Sequence, residues 1–150
     1  MCTRKALAVA ALVLAASAGA RAETPGLGKP ATEGAKVYAQ KCSACHGDNG
    51  RNGTAPGAGP LVGGQIDRIE AVKTIGNFYG YSTTVFDFIR RAMPYNEPRT
   101  LSNDEVYAVT AYLLALNKII GENDVMDAQT LPKVKMPNRD NFIIRFPDRI

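Results

Sequence analysis

The spacing of apolar residues predicts helices in three stretches of the chain. In the first, Thr32 is the expected N-cap, and the i, i+3, i+4, i+7 pattern of a helix face is carried by Ala35, Tyr38, Ala39 and Cys42. The second should begin between Ser82 and Thr84, with the same pattern at Val85, Phe88, Ile89 and Ala92. Pro94 ends it, because the residue before a proline is pushed out of the helical region.

The third helix has the clearest N-terminal signal. Ser102 and Glu105 form a capping box, and one face then carries Val106, Val109, Leu113 and Leu116. Gly121 is the expected stop. A further short helix is expected to begin near Asp67, because Ile66, Ile69 and Val72 recur at three-residue spacing.

The remaining segments lack a sustained period. Residues 47–64 are rich in Gly, Asn, Asp and Pro, which favours an irregular loop. Residues 122–150 contain three prolines and balanced charges, which favours an extended tail without much helix. No internal repeat or strand pattern stands out. The chain is therefore expected to fold as an all-α domain with long loops and a C-terminal tail.

Residues 1–22 have the composition of a secretory signal peptide. Arg4 and Lys5 precede an apolar run from Ala6 to Ala18, and Ala20-Arg21-Ala22 is a small-residue cleavage pattern. The run is shorter than the roughly 20 apolar residues that span a bilayer, which argues against a membrane anchor. We therefore expect export to the periplasm and cleavage after Ala22, with no membrane span in the mature chain.

Cleavage changes the charge and the cysteine inventory. It would leave 15 Lys and Arg against 14 Asp and Glu, so the basic pI of about 9.1 belongs largely to the leader. No basic stripe of the kind that nucleic-acid binding requires remains. Of three cysteines only Cys42 and Cys45 would be exported, into an oxidising compartment.

Both cysteines belong to the motif Cys42-Ser43-Ala44-Cys45-His46. In C-x-x-C-H the two thiols add to the vinyl groups of one haem and the histidine offers imidazole to the iron. A redox dithiol would need a βαβ context, and structural zinc would need further ligands, yet His46 is the only histidine. A plain disulfide would leave His46 unexplained. The motif therefore predicts one covalently bound haem c.

Met93 is the expected second axial ligand of the iron. Met126 and Met136 lie in the tail, whereas Met93 stands where the second helix meets Pro94, so its side chain can enter a pocket. The plainer interpretation of any methionine is that it fills a core. Met93 lies 47 residues after His46, with room for a haem-binding domain between them.

Other residues are candidates for the surroundings of the haem. The Pro60 carbonyl is the expected acceptor for the second ring N–H of His46, unless Pro60 is an ordinary turn residue. Arg90 and Arg91 would pair with haem propionates, or else complement the helix dipole. Tyr95 or Asn96 would hydrogen-bond the methionine sulfur.

Aromatic residues are concentrated just before and within the second helix: Phe78, Tyr79, Tyr81, Phe86 and Phe88. They are expected to line the haem pocket or, more simply, to fill a core. Gly34 and Tyr38 are expected to meet Tyr112 where the first and last helices cross, because glycine allows a close approach of two helix axes.

Four features follow one another along the chain: the C-x-x-C-H motif, the Gly59-Pro60-Leu61 loop, the Met93-Pro94 pair and the terminal helix. With these features in this order, the chain resembles a class I cytochrome c over roughly residues 31–120. The resemblance implies a haem domain at residues 23–121, followed by the tail at 122–150. Three strings sharpen it: residues 84–94, residues 104–114, and the tail segments around Met126-Asp127-Ala128 and Met136-Pro137-Asn138-Arg139-Asp140. These resemble the haem subunits of bacterial sulfite dehydrogenases and the haem domain of the sulfane dehydrogenase subunit.

Such subunits take electrons from a molybdenum-cofactor partner and pass them to a soluble cytochrome c. The resemblance therefore implies an electron-transfer subunit with no catalytic site of its own, and the single C-x-x-C-H favours the sulfite dehydrogenase type. Two alternatives remain: a free-standing carrier, or a haem enzyme that binds its substrate at an open sixth position. The tail is expected to wrap the haem domain or to dock on the catalytic partner.

Overall fold

The structure is a computed structural model, and it describes residues 28–64 and 72–141. The predicted signal peptide, the predicted start of a short helix near Asp67 and the last nine residues of the tail lie outside the described residues. Five α-helices account for most of the regular structure in the described part, so the predicted all-α architecture is confirmed.

The first helix, α1, spans Ala31–Lys41. Thr32 is its second residue, so the prediction of Thr32 as N-cap is wrong; extended Pro30 occupies that position, and no side chain caps the helix. A proline at the boundary has no N–H to leave unsatisfied. After Cys42 a single further turn follows, α2 at Ser43–His46.

A short helix that the sequence pattern did not predict, α3, spans Ile75–Phe78. Thr74 precedes it, and its N–H donates to Asn77 Oδ1 at 2.6 Å while its hydroxyl donates to the Gly63 carbonyl. Four residues are too few for an apolar period to be visible. The helix nevertheless buries Ile75 in the core.

Helices α4 and α5 follow the predictions more closely. Helix α4 spans Ser82–Ala92, within the expected bounds, and α5 spans Asn103–Leu116 behind the Ser102 and Glu105 capping box. The prediction of Gly121 as the stop of α5 is wrong. Asn117 is the C-cap, and its side-chain amide donates to the carbonyls of Leu113 (2.8 Å), in the last turn of α5, and of Leu61 (3.1 Å), in the loop after α2.

The core lies where α5 crosses α1. Gly34 faces the Ala108 carbonyl, and the rings of Tyr38 and Tyr112 lie 5.3 Å apart, so the predicted contact of the first and last helices is confirmed. Val85 and Ile89 of α4 pack on the same core. Helix α5 thus packs against both α1 and α4.

The described part of the tail is tied to this body. A two-residue strand β2 (Val125–Met126) pairs antiparallel with β1 (Lys29–Pro30), a ribbon too short for a strand pattern to be seen in the sequence. One 3-10 turn follows at Leu131–Lys133. Three tail side chains are buried in the core: Met126, Leu131 and Met136. Among the described residues, no helix has the length and apolar character needed to cross a membrane.

Candidate haem site

The C-x-x-C-H motif occupies the junction of α1 and α2. The Cys42 N–H donates to the Tyr38 carbonyl at 2.8 Å, and the His46 N–H donates back to the Cys42 carbonyl at 3.0 Å. This single turn brings Cys42, Cys45 and His46 to one wall of the same cavity. No disulfide joins Cys42 and Cys45 in the structure.

That cavity has a volume of about 430 Å³, within the usual range of cofactor sites. Met93 stands in its lining together with the motif, so the structure brings the predicted axial residues to one cavity. Most of the remaining lining is apolar, and six of the apolar side chains come from α3, α4 and α5: Ile75, Val85, Phe88, Ile89, Val109 and Leu113. An apolar cavity that also holds two thiols, an imidazole and a thioether fits a haem.

The imidazole of His46 is oriented by a backbone carbonyl. Its Nδ1 lies 3.2 Å from the Gly59 carbonyl oxygen, and since a carbonyl only accepts, Nδ1 carries the proton. The predicted acceptor Pro60 is therefore wrong by one residue: the loop turns so that the preceding carbonyl faces the ring. Nε2 is left with its lone pair, as iron ligation requires.

The loop after α2 is fixed to the motif by hydrogen bonds. Thr54 donates to the Cys45 carbonyl through its N–H (2.8 Å) and to the Ala44 carbonyl through its hydroxyl (2.7 Å). On the other side, the buried Tyr38 hydroxyl donates to the Gly47 carbonyl at 2.7 Å. These bonds hold the loop that carries Gly59 beneath His46.

The chemistry of Cys42 argues against a redox dithiol. Burial, with a smaller contribution from Cys45, raises the pKa of the Cys42 thiol from 9.0 to about 11. A reactive dithiol needs a lowered pKa, because the thiolate is the nucleophile. Zinc fits no better: within residues 28–64 and 72–141, no three His, Cys, Asp or Glu side chains are grouped to hold a metal ion.

The other two methionines of the described chain lie elsewhere. Met126 and Met136 are buried in the core among apolar side chains and do not line the cavity. Met93, by contrast, follows the last residue of α4 in extended conformation, with its N–H on the Ile89 carbonyl at 3.0 Å. Of these three residues, Met93 is the thioether available to the cavity.

The predicted propionate partner Arg91 is not in the site. Its side chain is 65% exposed and its guanidinium pairs with Asp87, one turn earlier on α4, with a distance of 3.0 Å from Nε to Oδ1. Neither Arg90 nor Arg91 lines the cavity. Lys41, which no sequence pattern singled out, does line it, and its Nζ lies 3.5 Å from Glu97 Oε2.

Tyr95 and Asn96 both line the cavity, beside Met93. Neither side chain is hydrogen-bonded to the Met93 sulfur in the described chain, and Tyr95 is 87% exposed, so their predicted role as sulfur partners stays a prediction. The segment from Ala55 to Ala58 also forms part of the wall. Nothing in its small and flexible residues signalled this role, because a loop's path depends on its tertiary contacts.

The aromatic cluster divides between three environments. Tyr79 and Phe88 line the cavity, as predicted, and burial raises the pKa of Tyr79. Phe86 instead stacks on Tyr107 of α5, with ring centroids 4.4 Å apart. Phe78 and Tyr81 are partly exposed beneath cations, with Lys73 Nζ at 4.8 Å from the first ring and the Arg139 guanidinium at 3.8 Å from the second.

Comparison with known proteins agrees with this geometry. Residues 29–113 match the model of the family described as cytochrome c oxidase, cbb3-type, subunit III. The chain belongs to this family and is a class I c-type cytochrome. The family implies that it binds haem c. No curated protein matches the chain.

Among solved structures, the cytochrome is similar to a chain in the crystal structure of the sulfane dehydrogenase SoxCD from Paracoccus pantotrophus, with 33% sequence identity and a TM-score of 0.73. The match covers 84% of this cytochrome and 60% of that chain. The resemblance to sulfane dehydrogenase haem domains noted from the sequence is thus confirmed at the level of relatedness.

Proposed function

We propose that this cytochrome is the periplasmic haem subunit of a sulfite dehydrogenase, which relays single electrons from a molybdenum-cofactor subunit to a soluble cytochrome c. The observation that carries the electron-transfer part is the shared cavity of Cys42, Cys45, His46 and Met93. The relatedness to SoxCD supports a role in sulfur oxidation. The leader-like residues 1–22 support export.

In this proposal Cys42 and Cys45 would hold one haem c covalently, and His46 Nε2 and the Met93 sulfur would be the ligands of its iron. When bound, the haem supplies a one-electron couple. The Gly59 carbonyl keeps His46 in the correct tautomer, and the apolar side chains of α3, α4 and α5 exclude water. Exclusion of water disfavours the extra charge of the ferric state and so raises the potential.

The first experiment tests the ligand set. In the purified holoprotein, Met93→Ala is expected to convert a low-spin ferric spectrum to a high-spin one, because it removes the sixth ligand. Met126→Leu is the matched control: Met126 is buried away from the cavity, and the conservative change should leave the spectrum unaltered. A wild-type spectrum that is already high-spin, and unchanged in Met93→Ala, would instead favour a haem enzyme with an open sixth position.

The second experiment tests the partner. The cytochrome should co-purify from its own host with a molybdenum-containing polypeptide, and sulfite should then reduce the haem. The free-standing carrier predicts that no stable partner is recovered.

A sulfane dehydrogenase subunit is the second candidate, and the observation in its favour is the similarity to SoxCD. The two candidates differ in substrate. If a co-purified complex reduces the haem with protein-bound sulfane sulfur and not with sulfite, the second candidate replaces the first.

A further inference from the structure

We propose that Ser82 is a positioning residue for Met93, and that it acts through the C-terminal tail. This inference rests on the proposed role of Met93 as an iron ligand. It assigns to the tail a function inside the cytochrome: the tail holds the start of α4 in place, and α4 carries Met93 at its other end.

The contact that carries the proposal is a buried hydrogen bond. The Ser82 hydroxyl donates to the carbonyl oxygen of Leu131 at 2.6 Å, and the two residues are each 2% exposed. They lie 49 positions apart, so the bond ties the tail to α4. Water cannot replace either partner at such a site, so removing the hydroxyl leaves a buried carbonyl with one partner fewer.

Two further contacts hold the same joint. The Asn138 side-chain amide donates to the Phe78 carbonyl at 3.0 Å, and the Arg139 guanidinium lies 3.8 Å from the Tyr81 ring centroid. The tail therefore contacts residues 78–82, from the last residue of α3 to the first of α4, at three points. Among the hydrogen bonds defined for the described residues, no other element makes a long-range side-chain bond to residues 78–82.

The tail can act as a support because Leu131 is itself fixed. Its N–H donates to the Asp127 carbonyl at 3.0 Å, and the Asp127 carboxylate accepts the N–H groups of Gln129 and Thr130, both at 2.8 Å. The side chain of Leu131 is buried in the core. The Leu131 carbonyl, which receives the Ser82 hydroxyl, also accepts the Val134 N–H at 3.2 Å, so bonds to residues before and after Leu131 hold it in place.

Helix α4 transmits the position to the cavity. It is 11 residues long, about 16 Å, and it behaves as a rigid element over that length. Val85, Phe88 and Ile89 line the cavity on the way, and Met93 follows the last residue. A looser start of α4 therefore increases the fraction of molecules in which Met93 has left its ligating position.

An added ligand reports on that fraction. Imidazole binds the ferric iron only when Met93 is displaced, so its apparent affinity is proportional to the population of the displaced state. Loss of one buried hydrogen bond is expected to raise that population, and hence the affinity for imidazole, about five- to tenfold. A residue that only supports the global fold would lower the melting temperature without changing this affinity.

The experiment compares holoprotein variants titrated with imidazole in the ferric state. Ser82→Ala should bind imidazole at least threefold more tightly than the wild type, whereas Thr83→Ala, an exposed neighbour on α4, should stay within twofold. A smaller change in Ser82→Ala overturns the proposal. If Ser82→Ala yields no folded holoprotein, Asn138→Ala is titrated with imidazole instead. It should bind imidazole more than twofold more tightly than the wild type, and a change within twofold overturns the proposal.

A double-variant cycle separates this inference from the proposed ligation. Met93→Ala should bind imidazole most tightly, and adding Ser82→Ala to it should change nothing more, because the residue that Ser82 positions is gone. A Ser82 effect that persists without Met93 overturns the positioning role. If Met93→Ala itself leaves the spectrum and the imidazole affinity unchanged, the ligand assignment has failed and the inference fails with it.

Discussion

Gly34 sets how closely α1 approaches α5. A Cβ at this position would lie 1.9 Å from the Ala108 carbonyl oxygen and 2.7 Å from the Tyr112 Cβ. The first of these is a backbone atom of the neighbouring helix, so the clash is relieved only if the helices separate. Since α1 leads directly into Cys42, separation would also move the haem-binding motif.

Gly34→Ala is therefore expected to destabilise the cytochrome by about 3 kcal/mol or more, despite the gain of roughly 1 kcal/mol in helix propensity. Gly76→Ala in α3 is the matched control, because a Cβ there meets its nearest atom at an ordinary 3.4 Å. Urea unfolding of both variants measures the difference. If Gly34→Ala unfolds at the wild-type midpoint, the helices do not pack as closely as the structure has them.

At the residue scale, the sequence predicted those site residues whose signal lies within a few neighbouring positions. The motif Cys42 to His46 and the Met93-Pro94 exit both predicted residues that meet in one cavity. The partner of His46 was missed by one residue because carbonyl direction depends on the path of the loop around Gly59. The exposed pairing of Arg91 with Asp87 had a signal in the sequence, the i, i+4 spacing, which the propionate prediction passed over.

At the scale of elements, the N-terminus of α5 is stabilised by a complete capping box. Glu105 Oε2 accepts from the Ser102 N–H and hydroxyl, both at 2.8 Å, and the Ser102 oxygen accepts the Glu105 N–H at 3.3 Å. These bonds lower the pKa of Glu105. Because all partners lie within four residues, the sequence alone predicted this end of the helix, whereas the side chain of the C-cap Asn117 bonds to a carbonyl 56 positions away.

Ser102→Ala should cost about 1 kcal/mol of unfolding free energy, because it removes the cap of the longest helix among the described residues. Ser102→Asp should recover most of that loss, since an aspartate also caps and its charge suits the helix N-terminus. The comparison is made by urea unfolding at neutral pH. A Ser102→Ala variant as stable as the wild type would mean that water replaces the cap without loss.

The turn at Asp127 to Thr130 gives the tail a pH dependence. Hydrogen bonds from the Thr130 and Gln129 N–H groups lower the pKa of Asp127. A lowered folded-state pKa contributes stability that is fully present above the unfolded value of about 3.9 and is lost as the pH falls through the lowered pKa.

Asp127→Asn is therefore expected to be less stable than the wild type by a constant amount from pH 7 to about pH 4.5, with the gap closing at lower pH. Unfolding midpoints in urea across this range, for both proteins, measure the gap. Asp124→Asn is a comparison within the tail: Asp124 accepts from the Gly121 N–H and does not belong to the Leu131 turn. A gap that does not begin to narrow once the pH falls below the unfolded value of about 3.9 would contradict the assignment.

At the scale of the whole molecule, the tail belongs to the core of the domain in its described part. The prolines and the missing helical period predicted its extended path, and they gave no indication of which side chains would be buried. Met126, Leu131 and Met136 are five residues apart, a spacing that matches neither the 3.6-residue period of a helix nor the two-residue period of a strand. Their burial is a product of tertiary packing, which a local pattern does not encode.

This burial changes what a tail deletion would test. Each fully buried side chain of this kind contributes about 1.5–3 kcal/mol, so the three together approach the 5–15 kcal/mol by which whole domains are stable. A chain that ends at Gly121 is therefore expected to lose cooperative unfolding, and a weakened partner complex would then report misfolding. Circular dichroism during thermal unfolding measures the loss.

Two full-length variants test whether the buried side chains of the tail account for the effect of the deletion. Replacing Met126, Leu131 and Met136 together by alanine should reproduce most of the loss, since large-to-small core changes cost about 2–5 kcal/mol each. Replacing the exposed Lys133 and Lys135 by alanine should change stability by no more than about 0.5 kcal/mol. If the deletion unfolds the domain and the triple variant does not, the buried side chains of the tail do not account for the loss of stability. The loss would then come from the backbone pairing of the tail with Lys29–Pro30 and from its hydrogen bond to Ser82.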